Sequence, residues 1–300
     1  MRKGIYLVLL TTVISGFSIF ANKIFVSQTN PLVFTTVRNI VVGAILTGVL
    51  VKLNLLRELK SLKIKDWLKL SFIGIFGGGV AFALFFSGLS QIGAVPGNLI
   101  HKTLYLWVAL LAGPFLHEKL TFRQMIGYGF IFWATFFMTG PAQFQLNQGS
   151  LMILGATILW AVENIIAKLI LKNIPSQIVG WARIVIGIPV LFAIALFLGK
   201  GQLFIDARSY TFLPILTSAL FLSGYVLSWY AGLKLLPASV ATSILVLAPI
   251  ITTILSGVFI TRIPFSSPQT WSFIFMTVGV VLIAIKRKLP MILRFPSVRE

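Results

Sequence analysis

The sequence predicts an all-α integral membrane protein of ten transmembrane helices, arranged as two inverted five-helix repeats. Three observations carry this. The 300 residues are 58% hydrophobic and 10% charged, with mean hydropathy +0.99. A water-soluble domain has about 25% charged residues and could not bury this much apolar surface. The apolar residues fall into ten runs of about 20, the length a helix needs to cross the hydrocarbon core. And an offset of 144–145 residues brings distant parts of the chain into a common register.

Taken in order, the spans cover about 4–25, 32–51, 67–89, 94–113, 122–140, 149–171, 177–198, 210–232, 238–260 and 269–286. The first follows Met1-Arg2-Lys3, a start like that of a signal peptide. Its apolar run from Gly4 to Phe20 is long and no cleavage site follows, so it reads as an uncleaved span. Most connections are short, and turn residues mark many of them, as in "SQTNP" (27–31), "GAVPG" (93–97), "NIPSQ" (173–177) and "LLPAS" (235–239). A short basic tail closes the chain.

Basic residues set the orientation. With the N-terminus inside, 17 of the 25 Lys and Arg residues fall in inner segments, including the tail residues Lys286, Arg287, Lys288, Arg294 and Arg299. Only Lys200, Arg208 and Arg262 fall outside. Positive charge collects on the cytoplasmic side, so both termini are expected there, in a cell (inner or plasma) membrane. The net charge of +19 has the same origin, and nucleic acid is not a partner.

Five basic residues lie within spans: Lys23, Arg38, Lys102, Lys168 and Arg183. At the repeat offset Lys23 meets Lys168 and Arg38 meets Arg183. "SGLSQIGA" (87–94) meets "AGLKLLPA" (231–238), and Gly113 meets Gly257. The halves are 1–145 and 146–300. Five is odd, so the second half inserts upside down, and the two arginines should take mirror positions across the midplane. Transporters use such repeats to build a midplane site between two rocking halves.

Two stretches carry a family resemblance. "PLVFTTVRNIVVGAIL" (31–46) is similar to the second span of the drug/metabolite transporter superfamily, in its EamA-like branch. "GPFLHEKLTFRQMIGYGFIFWATFFMTG" (113–140) resembles that family's junction of spans 4 and 5, with Glu118, Leu120-Thr121, Gln124 and Gly127 in the family's places. The resemblance implies a transporter, often an exporter of amino acids or other small metabolites. The second half departs from the pattern in "SGVFITRIPFSSPQTW" (256–271), where Arg262 stands in place of an acid. His101, Lys102 and Glu163 are charges the resemblance does not lead one to expect.

Ionisable residues inside a membrane are costly and face the bundle interior or water. Lys102 offers a cation to a carboxylate or phosphate. Glu163 either pairs with Lys102 or carries a coupling proton, and His101 is a candidate relay. Asn164 and Arg183 complete the polar set. The competing reading is a static ion pair of Glu163 with Lys102 or Arg183 that locks helices together. Arg38 and Arg183 suit a structural role equally well, and Lys23 and Lys168 read as snorkelling end residues. Trp160 shares a helix face with Glu163, and Tyr105 with His101, so both are candidate cavity walls.

Gly74 and Gly78 in "GIFGGG" (74–79) suit close helix packing, with a hinge as the alternative. Pro249 marks span 9 as the place for a kinked cavity wall. With no Cys, two His and six acids, disulfides, thiol chemistry and a protein metal site are not expected, and no cofactor is implied. "HEKL" (117–120) lacks the second His of a zinc-protease motif. The expected function is a secondary transporter of small polar or amphipathic metabolites, amino acids first, with protons as a candidate coupling ion. Membrane lipids are its surroundings, and a homodimer is left open. The alternatives are an integral-membrane enzyme using Glu163 and His101 as acid and base on lipid-linked substrates, or a flippase or scramblase.

Overall fold

A computed structural model describes residues 2–139, 146–205, 212–262 and 266–285. The junction at 145/146, Arg208 and the basic tail from Lys286 lie outside them. The helices are α1 (Arg2–Gln28), α2 (Pro31–Lys52), α3 (Leu56–Lys60), α4 (Ile64–Phe72), α5 (Ala81–Gln91), α6 (Ala94–Lys102), α7 (Leu104–Leu116), α8 (Phe122–Thr139), α9 (Gln148–Ile170), α10 (Ser176–Phe197), α11 (Phe212–Leu235), α12 (Ala238–Leu245), α13 (Ala248–Ser256) and α14 (Ser267–Ala284). All ten expected spans are helical, with α4–α5 forming the third, α6–α7 the fourth and α12–α13 the ninth. Nine are long and apolar enough to cross a membrane among the described residues. The other, α8, has 18 residues, about 27 Å at 1.5 Å per residue.

Local chemistry fixes the ends. Asn30 accepts hydrogen bonds from the N–H groups of Leu32 and Val33, and Pro31 takes the first helical position, where no N–H is needed. Asn147 and Ser150 cap α9 reciprocally. Lys23 and Lys168, expected to snorkel, instead cap other helices. The Lys23 ammonium donates to the carbonyls of Leu89 and Ser90 at the end of α5 (3.1 and 3.2 Å). Lys168 donates to those of Leu233 and Leu236 at the end of α11 (2.7 and 2.6 Å). Carbonyls at a helix C-terminus lack intrahelical partners and attract cations, so each lysine satisfies groups that lipid would leave bare. The two contacts are repeat equivalents.

Spans 4 and 9 break at equivalent places. The bonds Leu106 N–H to Thr103 carbonyl and Ile250 N–H to Leu247 carbonyl tighten each chain into an i→i−3 turn, 144 residues apart. Pro249 was the expected kink. It sits second in α13, just past the turn, where its missing N–H costs little. Span 4 breaks without a proline: the Thr103 hydroxyl donates to the Ile100 carbonyl at 2.7 Å and competes with the helical ladder. Span 3 has a further irregularity, a π-helical stretch over Ile73–Val80 between α4 and α5.

The glycines of that stretch pack, as the small-residue spacing predicts. A methyl added at Gly78 would sit 1.6 Å from the Arg183 carbonyl oxygen, and one at Gly187 would sit 2.4 Å from the Gly78 carbonyl carbon. Span 3 therefore crosses α10 backbone to backbone. Span 1 packs on spans 8 and 9, and span 6 packs on spans 3 and 4, while span 2 packs on span 7. Repeat equivalents thus exchange partners around an eight-helix core. α8 and α14 pack chiefly on each other at its edge, with Gly127 and Gly279 at their crossing.

Replacing Gly78 by Ala should force these backbones apart and cost about 1–3 kcal/mol, the usual range for overpacking. Gly48 has open space around it, and its replacement by Ala is the control. Thermal unfolding followed by size-exclusion chromatography should show a lower midpoint for Gly78→Ala alone.

Candidate functional site

Seven spans surround one internal cavity. Its walls are Ser15, Ser18, Ile19 and Asn22 of α1, Arg38 of α2, and Phe82, Phe85 and Phe86 of α5. His101 and Leu104 flank the break in span 4, and Trp160 and Asn164 of α9, Arg183 of α10, and Leu222 and Tyr225 of α11 close the ring. The free space is about 60 Å³. Sites for small molecules run to about 300–1,000 Å³. That is too little room for a metabolite unless the walls part.

Two arginines meet there from opposite repeats. Each is the eighth residue of its helix, α2 or α10, and each guanidinium carbon lies 5.2 Å from the centre of the Phe82 ring. Neither snorkels. Arg38 is 1% exposed and Arg183 5%. Their environments differ. Arg183 lies 3.7 Å from Glu163 Oε2, and its Nη1 donates to the Tyr230 hydroxyl at 3.4 Å. Tyr230 in turn donates to Glu163 Oε1. Arg38 has no acidic partner among the described residues. Its Nε and Nη2 donate to Asn39 Oδ1 (3.1 and 2.7 Å), and its carbon lies 4.5 Å from the Phe86 ring centre. A desolvated cation–π contact gives about 2 kcal/mol. Burying an ion costs several kcal/mol even after relaxation, so the rings offset only part of it.

Glu163 is held in a recess. A methyl at Gly77 would lie 2.6 Å from the Glu163 Cγ, so only glycine leaves room for the carboxylate arm. Trp160 Nε1 donates to the Gly77 carbonyl at 2.8 Å and fixes the same crossing. Asn164 donates to the Trp160 carbonyl and accepts from Trp229 Nε1 (2.8 and 2.9 Å).

The seven predicted site residues divide. His101, Trp160, Asn164 and Arg183 line the cavity. Glu163 lies behind Arg183, outside the lining, and pairs with Arg183 rather than Lys102. Lys102 is buried beside the cavity, and its ammonium donates to the Ser15 hydroxyl at 3.0 Å. Tyr105 turns away and stacks on Tyr128 with ring centres 5.6 Å apart. The ring of His101 lies 4.8 Å from that of Trp160 and 5.1 Å from that of Phe85, and its Nδ1 has no hydrogen-bond partner. Glu163 and His101 share no hydrogen bond, and His101 lines the cavity whereas Glu163 does not. Span 9 adds nothing to the lining: it packs behind α1, where a methyl at Gly16 would meet Ile251.

Several wall residues escaped the sequence reading. Ser15, Ser18 and Asn22 recur at i, i+3 and i+7, one face of span 1, and that signal was legible. Phe82, Phe85 and Phe86 were not distinguishable from lipid-facing phenylalanines.

The sequence profile of the EamA-like transporter family matches residues 2–140 and 147–285. The chain therefore belongs to that family, with one match in each half. A relative from Bacillus subtilis (strain 168), the uncharacterized transporter YyaM, is 27% identical over 229 residues, covering 73% of this chain and 70% of its own. A solved crystal structure superposes with a TM-score of 0.68 at 14% identity, covering 91% of this chain and 96% of that one, a likeness of fold.

Breaking a buried ion pair costs about 3–5 kcal/mol, whereas replacing both partners by apolar residues is often nearly neutral. Glu163→Leu and Arg183→Leu should each lower the thermal midpoint sharply, and the double variant should recover much of the loss. Strictly additive losses in this double-mutant cycle would show the two groups to be uncoupled.

Proposed function

We propose that this membrane transporter works by alternating access, as a secondary transporter of small polar or amphipathic metabolites that carry an acidic group, amino acids among them. The observation that carries the proposal is the small central cavity walled by both repeats and holding a buried cation from each. Transporters with inverted repeats bind cargo at such interfaces near the midplane, beside interrupted helices. Here the break in span 4 presents His101 and Leu104 to the cavity. With residues 1–145 and 146–300 as the moving halves, the odd number of spans per repeat makes the second the inverse of the first, and rocking exposes the cavity to each side in turn.

The chain has no phosphate-cradling motif, so an ion or solute gradient supplies the driving force, with protons the first candidate. The distribution of Lys and Arg supports cytoplasmic termini in a cell membrane. Export is the proposed direction, on the family resemblance.

The chain contains no cysteine, which permits clean labelling. Single cysteines at Ser18 and Leu222, both in the cavity wall, should react with membrane-impermeant thiol reagents applied from either side, and cargo should slow the reaction. Efflux from proteoliposomes loaded with amino acids and small organic anions should be selective and respond to a pH gradient. Cysteines unreactive from both sides, with no selective efflux, would mark the centre as a static core.

A further inference from the structure

We propose that Arg38 is the anion receptor of the cavity, and that the cargo is an organic monoanion with an aromatic or bulky apolar body and no ammonium group. This rests on the transporter reading above and narrows its cargo, setting the zwitterionic amino acids aside.

Of the chain's six acidic residues, Asp206 and Glu300 lie outside the described residues. Of the other four, Glu163 alone is buried, and its carboxylate is engaged by Arg183 and Tyr230. Glu118 is engaged elsewhere, accepting from the N–H groups of Ala238 and Ser239 at the start of α12. No carboxylate among the described residues remains for Arg38. Arginine keeps its proton at any accessible pH, unlike lysine, which has the option of shedding one when buried. A permanent charge in the middle of the bundle therefore waits for an anion from outside the chain.

Geometry makes the same assignment. Two of the three guanidinium nitrogens are bonded to Asn39, and Nη1 has no hydrogen-bond partner among the described residues. Arg38 lines the cavity, whereas Lys102 does not. His101 Nδ1, also unpartnered and in the wall, is a second polar anchor. Phe82, Phe85, Phe86, Trp160 and Tyr225 supply flat apolar surface for the rest of the molecule. The wall offers no free carboxylate to an ammonium group. A zwitterion would bring a second charge without a partner, and a cation would meet two arginines. Both are disfavoured.

Three solutes with one aromatic body and different charge separate these cases: phenylacetate, L-phenylalanine and phenethylamine. Equilibrium binding of each radiolabelled solute to the purified full chain in nanodiscs should favour phenylacetate by about tenfold or more over the other two. Arg38→Gln should lower phenylacetate binding at least about tenfold, and Arg38→Lys, which keeps a charge, should retain part of it. If Arg38→Gln fails to fold, the wild-type ranking and Arg38→Lys still decide. Equal or tighter binding of L-phenylalanine overturns the monoanion assignment and leaves the transporter reading intact. Undiminished phenylacetate binding by folded Arg38→Gln overturns the role of Arg38. Absence of binding by all three overturns the cargo class here, and the transporter reading then stands or falls on efflux of the broader mixture.

Discussion

Glu163 occupies a space that exists because residue 77 has no side chain. The π-helical stretch of span 3 brings Gly77 against α9, and the Glu163 arm fills the gap. From there the carboxylate reaches Arg183 on α10 and Tyr230 on α11, while Trp160 bonds back to the Gly77 carbonyl. Four spans, one from the first half and three from the second, are tied at this point. Lipid has no water to compensate an unpaired charge, so the cost of separating these groups is high, and that cost holds the helices in register. The backbone contact of Gly78 with Arg183 and Gly187 follows from the same crossing.

Around this knot the two halves are built alike but are not identical. Lys23 and Lys168 do equivalent work on equivalent helix ends, and spans 4 and 9 break in equivalent turns. His117 and Arg262, 145 positions apart, both take left-handed backbone to end their helices. Then the symmetry stops. Glu118 caps α12, but among the described residues no side chain caps the start of α6, and the second half carries Arg262 near the place of that acid. One of the two equivalent junctions is fastened by a carboxylate and the other is not. The arginine pair differs in the same manner: Arg183 has a carboxylate and Arg38 has rings and an amide.

That inequality is what gives the cavity a chemistry. Two paired cations would make a neutral, structural centre. One paired cation and one with no acidic partner among the described residues, both buried beside Phe82, leave positive charge in an aromatic enclosure. The enclosure has about 60 Å³ free, so occupation by a metabolite and movement of the walls must go together. Coupling of that kind is how a rocking bundle would turn binding into transport.

The family, the ten spans and the repeat register were all legible in the sequence, because lipid imposes a length and an apolar composition on each helix and leaves every charged exception visible. His101 and Arg183, which line the cavity, were legible as ionisable residues within spans for the same reason. Sequence could not say which charges meet. Lys102 and Glu163 both stand out, yet one ends on Ser15 and the other on Arg183, because pairing depends on how the spans rotate against each other. Tyr105 shares span 4 with His101 and still faces Tyr128, since the turn at Thr103 lies between them and breaks the helical phase. Lys23 and Lys168 were visible as charges near span ends, but their acceptors belong to helices 65 or more residues away. Local pattern fixes where charge sits along a helix. Only the packing of the glycine-rich crossing decides which neighbour neutralises it and which cation has no acidic partner among the described residues.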